Sequence, residues 1–219
     1  MKLAVINPNS TRSMTDKIAA AARLAAPLAT IDGRTCAGSP ASIQGPADGA
    51  AALPHLLAEV QAAHAAGADA CIIACFDDTG LAQARGLVPI PVVGIGEAAF
   101  HAAMMLGHHY SVVTTLSVSV PIIVDNIKAY GLGSHCLNVR ASEVPVLDLE
   151  KPGSDARAKI SAEIALALVQ DHATAIVLGC AGMADLAAAL SAEHGIPVID
   201  GVAAACGFAQ TLVHLRKVA

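Results

Sequence analysis

The chain has 219 residues and a formal net charge of −5, and 55% of its residues are hydrophobic whereas only 2% are aromatic. That length suits one large domain or two small α/β lobes with an aliphatic core. We expect no nucleic-acid partner, because phosphate binding needs a basic cluster and the chain has none. No apolar run reaches the roughly 18 residues of a membrane span, so no membrane contact is expected. Residues 1–8 lead into a strand and a turn rather than a secretory signal, which predicts a cytoplasmic protein.

Strands and helices alternate along the first half of the chain. Residues 3–6 are a continuous apolar run, typical of a parallel strand that is covered on both faces. Asp77, Asp78 and Thr79 are expected to cap the helix that begins near Gly80. The predicted strands are residues 3–6, 30–36, 70–74 and 91–94, and the predicted helices are residues 14–24, 46–66, 80–86 and 97–106.

The second half repeats this order. Its predicted strands are residues 110–114, 136–140, 176–179 and 197–199, and its predicted helices are residues 120–130, 155–170, 183–193 and 202–216. Such alternation across short loops indicates parallel sheets with right-handed crossovers. The sequence therefore predicts an α/β fold with two pseudo-symmetric lobes, each with a central parallel sheet flanked by helices, and an active site in the cleft between them. The lobes are predicted at residues 1–98 and 99–202, with a C-terminal helix at about residues 203–219 packing back on the first lobe.

The cysteines are predicted to be free thiols rather than disulfides or metal ligands. A cytoplasmic location favours reduced thiols, and no Cys-x-x-Cys pair is present, so no metal site is expected. Four of the six need no role beyond that of small buried hydrophobic residues: Cys36, Cys71, Cys136 and Cys206.

The other two cysteines occupy equivalent positions in the two halves. Cys75 follows the apolar strand 70–74, and Cys180 follows strand 176–179. The two cysteines are 105 positions apart in the chain. Ligands of open α/β sheets bind at the carboxyl ends of the strands, so two thiols are expected to face each other across the cleft. That arrangement suits the transfer of a proton from one face of a carbon to the other without a cofactor. We expect nearby helix N-termini to lower a thiol pKa from about 8.5 towards neutrality.

Two other interpretations of the cysteines remain open at this stage. A nucleophilic thiol enzyme would pair one cysteine with one histidine, and no histidine follows either turn. A small-molecule binding module would use both cysteines only for packing. Symmetry of the thiols favours symmetrical proton transfer.

Several motifs along the whole chain resemble the hydantoin racemase branch of the aspartate/glutamate racemase superfamily. The amino-acid racemases of the superfamily usually show Cys-Asn-Thr and Cys-Thr-Glu where this chain has Cys-Phe-Asp and Cys-Ala-Gly. The motifs that carry the resemblance are Asn7-Pro8-Asn9-Ser10, Pro40-Ala41-Ser42-Ile43-Gln44-Gly45, Ala74-Cys75-Phe76-Asp77-Asp78-x-Gly80-Leu81, Val113-Thr114-Thr115-Leu116, Val177-Leu178-Gly179-Cys180-Ala181-Gly182-Met183 and Ile196-Pro197-Val198-Ile199-Asp200-Gly201-Val202, together with residues 94–99.

The resemblance implies cofactor-independent racemisation at C5 of a 5-substituted hydantoin, with Cys75 and Cys180 as the two acid/base residues. It also implies a set of residues that hold the ring. Separately, the Ala-rich helices with few charges favour a surface that is buried between subunits, and hence a homo-oligomer. Carried onto this sequence, the substrate-binding positions are Asn9, Ser42, Ile43, Phe76, Thr114, Thr115 and Gly179.

The resemblance leaves the substrate open, and the chain departs from the family at one position. Allantoin is a 5-ureido-hydantoin, so an allantoin racemase would share these motifs. The arylmalonate decarboxylases and maleate isomerases of the superfamily use the same fold for other reactions. Relatives often carry Arg after the Thr-Thr-Leu-x stretch, where this chain has Val118.

Overall fold

The computed structural model describes residues 1–218 and contains two four-stranded parallel sheets flanked by helices. This confirms the predicted α/β fold class. The strands are β1 (Lys2–Asn7), β2 (Thr30–Thr35), β3 (Ala70–Ile73), β4 (Val92–Gly94), β5 (Tyr110–Thr114), β6 (Cys136–Ala141), β7 (Ala175–Gly179) and β8 (Val198–Ile199). The helices are α1 (Arg12–Ala25), α2 (Pro46–Ala65), α3 (Leu81–Leu87), α4 (Ile95–Met105), α5 (Val120–Ala129), α6 (Ala156–Leu166), α7 (Ala187–His194) and α8 (Gly201–Val218).

Two predicted helices differ from the observed ones at their ends. The helix predicted at residues 155–170 ends at Leu166 and continues as a π-helical turn, Ala167–Asp171. The helix predicted at residues 183–193 begins as a 3-10 turn, Ala181–Leu186, before α7. The second difference matters for the site, because the 3-10 turn follows Cys180 directly.

The two sheets share one strand order. The first sheet has the order β2-β1-β3-β4 and the second has the order β6-β5-β7-β8. Ile6 pairs with Ile73 between β1 and β3, and Thr114 pairs with Gly179 between β5 and β7. Each cysteine turn therefore leaves its sheet beside the loop that follows the first strand of the same half.

The strands are apolar on both faces because a core lies on each side of each sheet. Leu3 and Val5 of β1 belong to a central cluster that also contains Val112 of β5 and residues of α1, α4, α5 and α8. The alternate residues Ala4 and Ile6 pack with α2 and α3 in a second cluster. A third cluster covers the other face of the second sheet with α6 and α7. The central cluster thus joins the two sheets.

Four of the five aromatic residues of the chain lie together in this central region. The composition includes three Phe, two Tyr and no Trp. Phe100 of α4 meets Phe76 edge-on at 5.3 Å between ring centroids, stacks with Tyr110 at 6.0 Å and lies 6.4 Å from Tyr130. The cluster connects the Cys75 turn to β5 and α5.

Asp78 caps a helix other than the predicted one. Its carboxylate accepts the backbone N–H groups of Gly96 at 3.0 Å and Glu97 at 2.7 Å, so it caps α4 rather than α3. A Cβ on Gly94 or Gly96 would collide with this carboxylate. The close approach of Asp78 therefore requires glycine at both positions. Helix α3 has no side-chain cap.

The C-terminal helix α8 packs against both α1 and α4. The Cys206 sulfur lies 4.0 Å from the carbonyl oxygen of Ala22 in α1. Ala219, the last residue of the predicted helix, is outside the described residues, and the lobe boundary at residues 98 and 99 stays a prediction. None of the helices in the described part of the chain has the length and apolar character needed to cross a bilayer.

Candidate active site

One cleft lies where the two cysteine turns meet. It has an empty volume of about 460 Å³ and is lined by both cysteines. Of the predicted substrate-binding residues, the cleft brings together Asn9, Ile43, Phe76, Thr114, Thr115 and Gly179. Ser42 is buried in the neighbouring loop and is not among the lining residues. The remaining lining residues were not predicted as site residues; they are Met14, Ala74, Asp77, Ser119, Ile123, Val146 and Ala181.

The Cys75 thiol has a carboxylate partner. Cys75 Sγ donates a hydrogen bond to Asp77 Oδ1 at 2.7 Å. Thr79 Oγ1 donates to the same oxygen at 2.7 Å and lies 3.7 Å from the sulfur. The turn is therefore closed on itself around the thiol, with the Asp77 carboxylate at the cleft surface.

Helix α5 of the second half holds this turn in place. Asn126 Nδ2 donates to the Asp77 carbonyl oxygen at 2.8 Å, and Tyr130 Oη donates to Asp78 Oδ2 at 2.9 Å. These two side chains are four residues apart, so they lie on one face of the helical chain. The position of Cys75 thus depends on a helix from the opposite half.

Cys180 is positioned by a close approach of two strands. A Cβ on Gly179 would lie 2.6 Å from the Thr114 Cβ, so only glycine fits there. Thr114 Oγ1 donates to the Gly179 carbonyl oxygen at 2.9 Å, which ties β5 to the residue before the thiol. Met183 N donates to the Cys180 carbonyl oxygen at 3.0 Å and opens the 3-10 turn.

Helix α1 of the first half reaches the Cys180 region in turn. Lys17 Nζ lies 3.0 Å from Glu150 Oε1 and 3.6 Å from Asp185 Oδ2. Asp185 belongs to the 3-10 turn that follows Cys180. The first helix of each half therefore contacts the cysteine region of the other half.

Both thiols have a raised pKa, so the predicted lowering is wrong. Burial raises the pKa of Cys75 well above 9.0, and the Asp77 charge raises it further. Burial also raises the pKa of Cys180 to about 11, although the Gly182 N–H hydrogen bond and the Lys17 charge oppose this rise. Helix α3 begins at Leu81, six positions after Cys75, so the turn separates the thiol from that helix terminus.

Two hydroxyl groups of the cleft are available to a ligand. Within residues 1–216, the hydroxyls of Thr115 and Ser119 make no hydrogen bond although both residues line the cleft. The Asn9 side chain is instead fixed: its Oδ1 accepts from Asn7 Nδ2 at 2.8 Å and from Thr11 N at 2.9 Å. Asn9 presents a rigid polar group, because its orientation is set by its own loop.

The loop at residues 38–45 covers one side of the cleft. Thr11 Oγ1 donates to the Ala41 carbonyl oxygen at 2.6 Å, and Val146 N donates to Gln44 Oε1 at 3.0 Å from the opposite half. Val118 is 47% exposed and packs against Gly45 rather than lining the cleft. Val118, which stands where relatives often carry Arg, therefore lies on the outer side of this loop.

Comparison with known proteins gives matches over nearly the whole chain. The family model described as Asp/Glu/Hydantoin racemase matches residues 3–209. A hydantoin racemase from Rhizobium meliloti is 46% identical over 214 residues, which are 97% of this chain and 89% of that protein. Another from Pseudomonas sp. (strain NS671) is 41% identical over 218 residues, covering 99% of this chain and 88% of that protein. The structure of allantoin racemase from Klebsiella pneumoniae superposes with a TM-score of 0.95 at 41% identity, covering 99% and 89% of the two chains.

This chain belongs to the Asp/Glu/hydantoin racemase family. The membership confirms the resemblance drawn from the motifs and the assignment to the isomerases, as a racemase of small molecules.

Two charged residues of this racemase were missed as parts of the site. Asp77 was interpreted as a helix cap, although its place two residues after a rim cysteine was a signal for contact with the thiol. Lys17 carried no such signal, because 163 positions separate it from Cys180 in the sequence. Only the packing of α1 on the second half brings its charge to that thiol.

Proposed function

We propose that this protein racemises 5-substituted hydantoins by 1,1-proton transfer at C5, with Cys75 and Cys180 as the acid and base and without a cofactor. The observation that carries the proposal is that both cysteines line one cleft at the carboxyl ends of equivalent strands. The names of two relatives that are 46% and 41% identical support the substrate class.

The chemistry needs a base on one face of C5 and an acid on the other. One thiolate removes the C5 proton, and the electron pair of that bond moves onto the C4 carbonyl oxygen. The opposite thiol then delivers its proton to the other face, and the electron pair returns to C5. Such acid–base catalysis contributes about 10²–10⁴-fold, and hydrogen-bond donors aimed at the enolate oxygen contribute further.

The lining of the cleft is consistent with a ring that carries an apolar substituent. Met14, Ile43, Phe76, Ile123 and Val146 form apolar walls. The free hydroxyls of Thr115 and Ser119 are suited to the ring carbonyls and N–H groups.

A nucleophilic thiol mechanism has less support. Among the side chains that the structure describes, no histidine lines the cleft. The hydrogen-bond partner of the Cys75 thiol is the Asp77 carboxylate. A Cys–His pair of the usual kind is therefore not formed here.

Allantoin racemisation is the second candidate, because a solved allantoin racemase superposes with a TM-score of 0.95. The test is to incubate the purified protein with single enantiomers of allantoin and of 5-benzylhydantoin and to follow optical rotation. Loss of rotation of 5-benzylhydantoin supports the first candidate, and loss confined to allantoin supports the second. Stable rotation of both compounds would refute both.

Cysteine variants test the mechanism in the same assay. Cys75→Ala and Cys180→Ala are each expected to abolish racemisation, whereas Cys136→Ala removes a thiol outside the cleft and is expected to retain it. Cys75→Ser and Cys180→Ser are expected to keep hydrogen–deuterium exchange of one enantiomer only, because one base still reaches one face. Exchange of both enantiomers at the wild-type rate in either variant would rule out the two-thiol scheme.

We also propose that the protein is a homo-oligomer in the cytoplasm. Leu24 in the last turn of α1 is 85% exposed, and Leu28 in the turn that follows α1 is 95% exposed. Contiguous exposed apolar surface marks protein–protein interaction sites, and we infer that these two leucines, four positions apart in the chain, belong to such a surface. Analytical ultracentrifugation of the wild type and of Leu28→Glu tests this; a monomeric wild type would contradict it.

A further inference from the structure

The two cysteine turns differ in charge although they occupy equivalent positions. Cys75 is followed by Phe76 and Asp77, whereas Cys180 is followed by Ala181 and Gly182. Only the first turn thus has a carboxylate within two residues of its cysteine. A symmetrical fold therefore presents two thiols in unequal electrostatic surroundings.

The carboxylate of Asp77 is aimed at the Cys75 sulfur. Its Oδ1 accepts the thiol hydrogen at 2.7 Å, and Thr79 Oγ1 fixes the same oxygen at 2.7 Å. The backbone of Asp77 is held in turn by Asn126. An anion in this position accepts a hydrogen bond from the neutral thiol and repels the thiolate, so it favours the protonated form of Cys75.

The surroundings of Cys180 are more favourable to a thiolate. The Gly182 N–H and the Lys17 ammonium both lower the pKa of the Cys180 thiol, and a Cβ on Gly182 would lie 3.7 Å from the Cys180 sulfur. Glu150 and Asp77 act in the opposite direction through their charges. Glu150 is itself paired with Lys17 at 3.0 Å, which offsets part of its charge.

We propose that Asp77 keeps the proton on Cys75 in the free enzyme, so that Cys180 is the first of the two thiols to become the base. This rests on the proposed two-thiol function. Asp77 is a positioning residue in this scheme, because it acts through Cys75 and not on the substrate.

The assignment gives the reaction a preferred starting form. The Cys180 thiolate removes the C5 proton from one face of the ring. The Cys75 thiol then gives its proton to C5 on the other face, which forms the new C–H bond. The electron pair of the broken S–H bond stays on the Cys75 sulfur. Cys180 is then a thiol, and Cys75 is a thiolate beside the Asp77 carboxylate. Repulsion between these two anions drives the return of a proton from water to Cys75 while Cys180 releases one. The total number of protons on the enzyme is unchanged over the cycle.

Thiol alkylation tests the proposal without any substrate. Iodoacetamide reacts with thiolates, so the alkylation rate of each cysteine, followed by peptide mass spectrometry from pH 7 to pH 11, reports its ionisation. In the wild-type protein the rate at Cys180 is expected to rise at lower pH than the rate at Cys75. A Cys75 thiol that ionises at or below the pH of Cys180 would overturn the proposal.

A matched pair of variants isolates the role of Asp77. Asp77→Asn is expected to raise the alkylation rate of Cys75 about tenfold or more, since one pKa unit is a tenfold change in thiolate fraction. The rate at Cys180 is expected to rise less. Asp125→Asn removes the same charge from an exposed position of α5 and is expected to change neither rate. An unchanged ratio of the two rates in folded Asp77→Asn would refute the assignment.

Failure of the assignment and failure of the function give different results. If racemisation is observed but the two thiols ionise together, the assignment is wrong and the two-thiol function stands. If the ionisation order is as expected but neither hydantoin nor allantoin is racemised, the function is wrong. In an active enzyme, Asp77→Asn is expected to shift the alkaline limb of the kcat/KM pH profile, which loss of a purely structural hydrogen bond would not do.

Discussion

At the scale of single residues, the site depends on glycines that have no side chain as well as on the reactive cysteines. Gly179 has no Cβ, which lets Thr114 pack directly against the backbone that leads to Cys180. Gly94 and Gly96 leave the space that the Asp78 carboxylate fills. The absence of a side chain at these glycines lets the neighbouring groups approach closely, and this close packing fixes the positions of the site residues.

Gly179→Ala is therefore expected to lower kcat by about 100-fold, because a 1 Å displacement of a reacting group costs about that much. Overpacking is also expected to lower the free energy of unfolding by about 1–3 kcal/mol. Gly207→Ala is the control, since nothing lies within 4 Å of its added Cβ on an exposed face of α8. Racemisation assays and urea unfolding measure both effects; a wild-type kcat in Gly179→Ala would contradict the placement of Cys180 by this contact.

At the scale of elements, each half of the molecule supports the cysteine of the other half. Helix α5 holds the Cys75 turn through Asn126 and Tyr130, and α1 reaches the Cys180 region through Lys17. The contacts cross the cleft in opposite directions. Relative movement of the halves is consequently expected to disturb both thiols.

Tyr130→Phe tests the contact from α5. Loss of its hydrogen bond to the buried Asp78 carboxylate is expected to cost about 1.5–3 kcal/mol of unfolding free energy and to lower kcat more than it changes KM. The matched control is Tyr110→Phe, whose hydroxyl is buried with no hydrogen-bond partner in the described residues, so its removal breaks no bond. Equal effects of the two variants in thermal unfolding and racemisation would argue against the role of Tyr130.

At the scale of the whole molecule, regular local patterns predicted the fold well. Apolar runs such as residues 3–6 and 70–74 predicted buried parallel strands, and the spacing of the cysteines predicted equivalent turns. The incorrect predictions concern contacts between residues that are far apart in the sequence. Asp78 caps a helix 18 positions away because the chain folds back on itself, and thiol burial depends on packing from both halves. Neither property leaves a local signature.

The correction of the thiol pKa values changes the expected pH dependence. The pKa of Cys180 is about 11, so the thiolate fraction below that pH rises about tenfold per pH unit. We expect kcat/KM to increase steadily from pH 7 to pH 9.5 once the separately titrated ionisation of the substrate N–H is taken into account. An optimum near pH 7 in initial-rate polarimetry would indicate a thiol that ionises near neutrality.

The grouping of the aromatic rings gives the protein an internal optical probe. With no Trp in the chain, ultraviolet emission arises chiefly from Tyr110 and Tyr130, and both rings lie within 7 Å of Phe100 by their centroids, at 6.0 Å and 6.4 Å. Both fluorophores therefore sit where the two sheets join. A change in tyrosine fluorescence or near-ultraviolet circular dichroism on adding a ligand would report movement at that junction without any label.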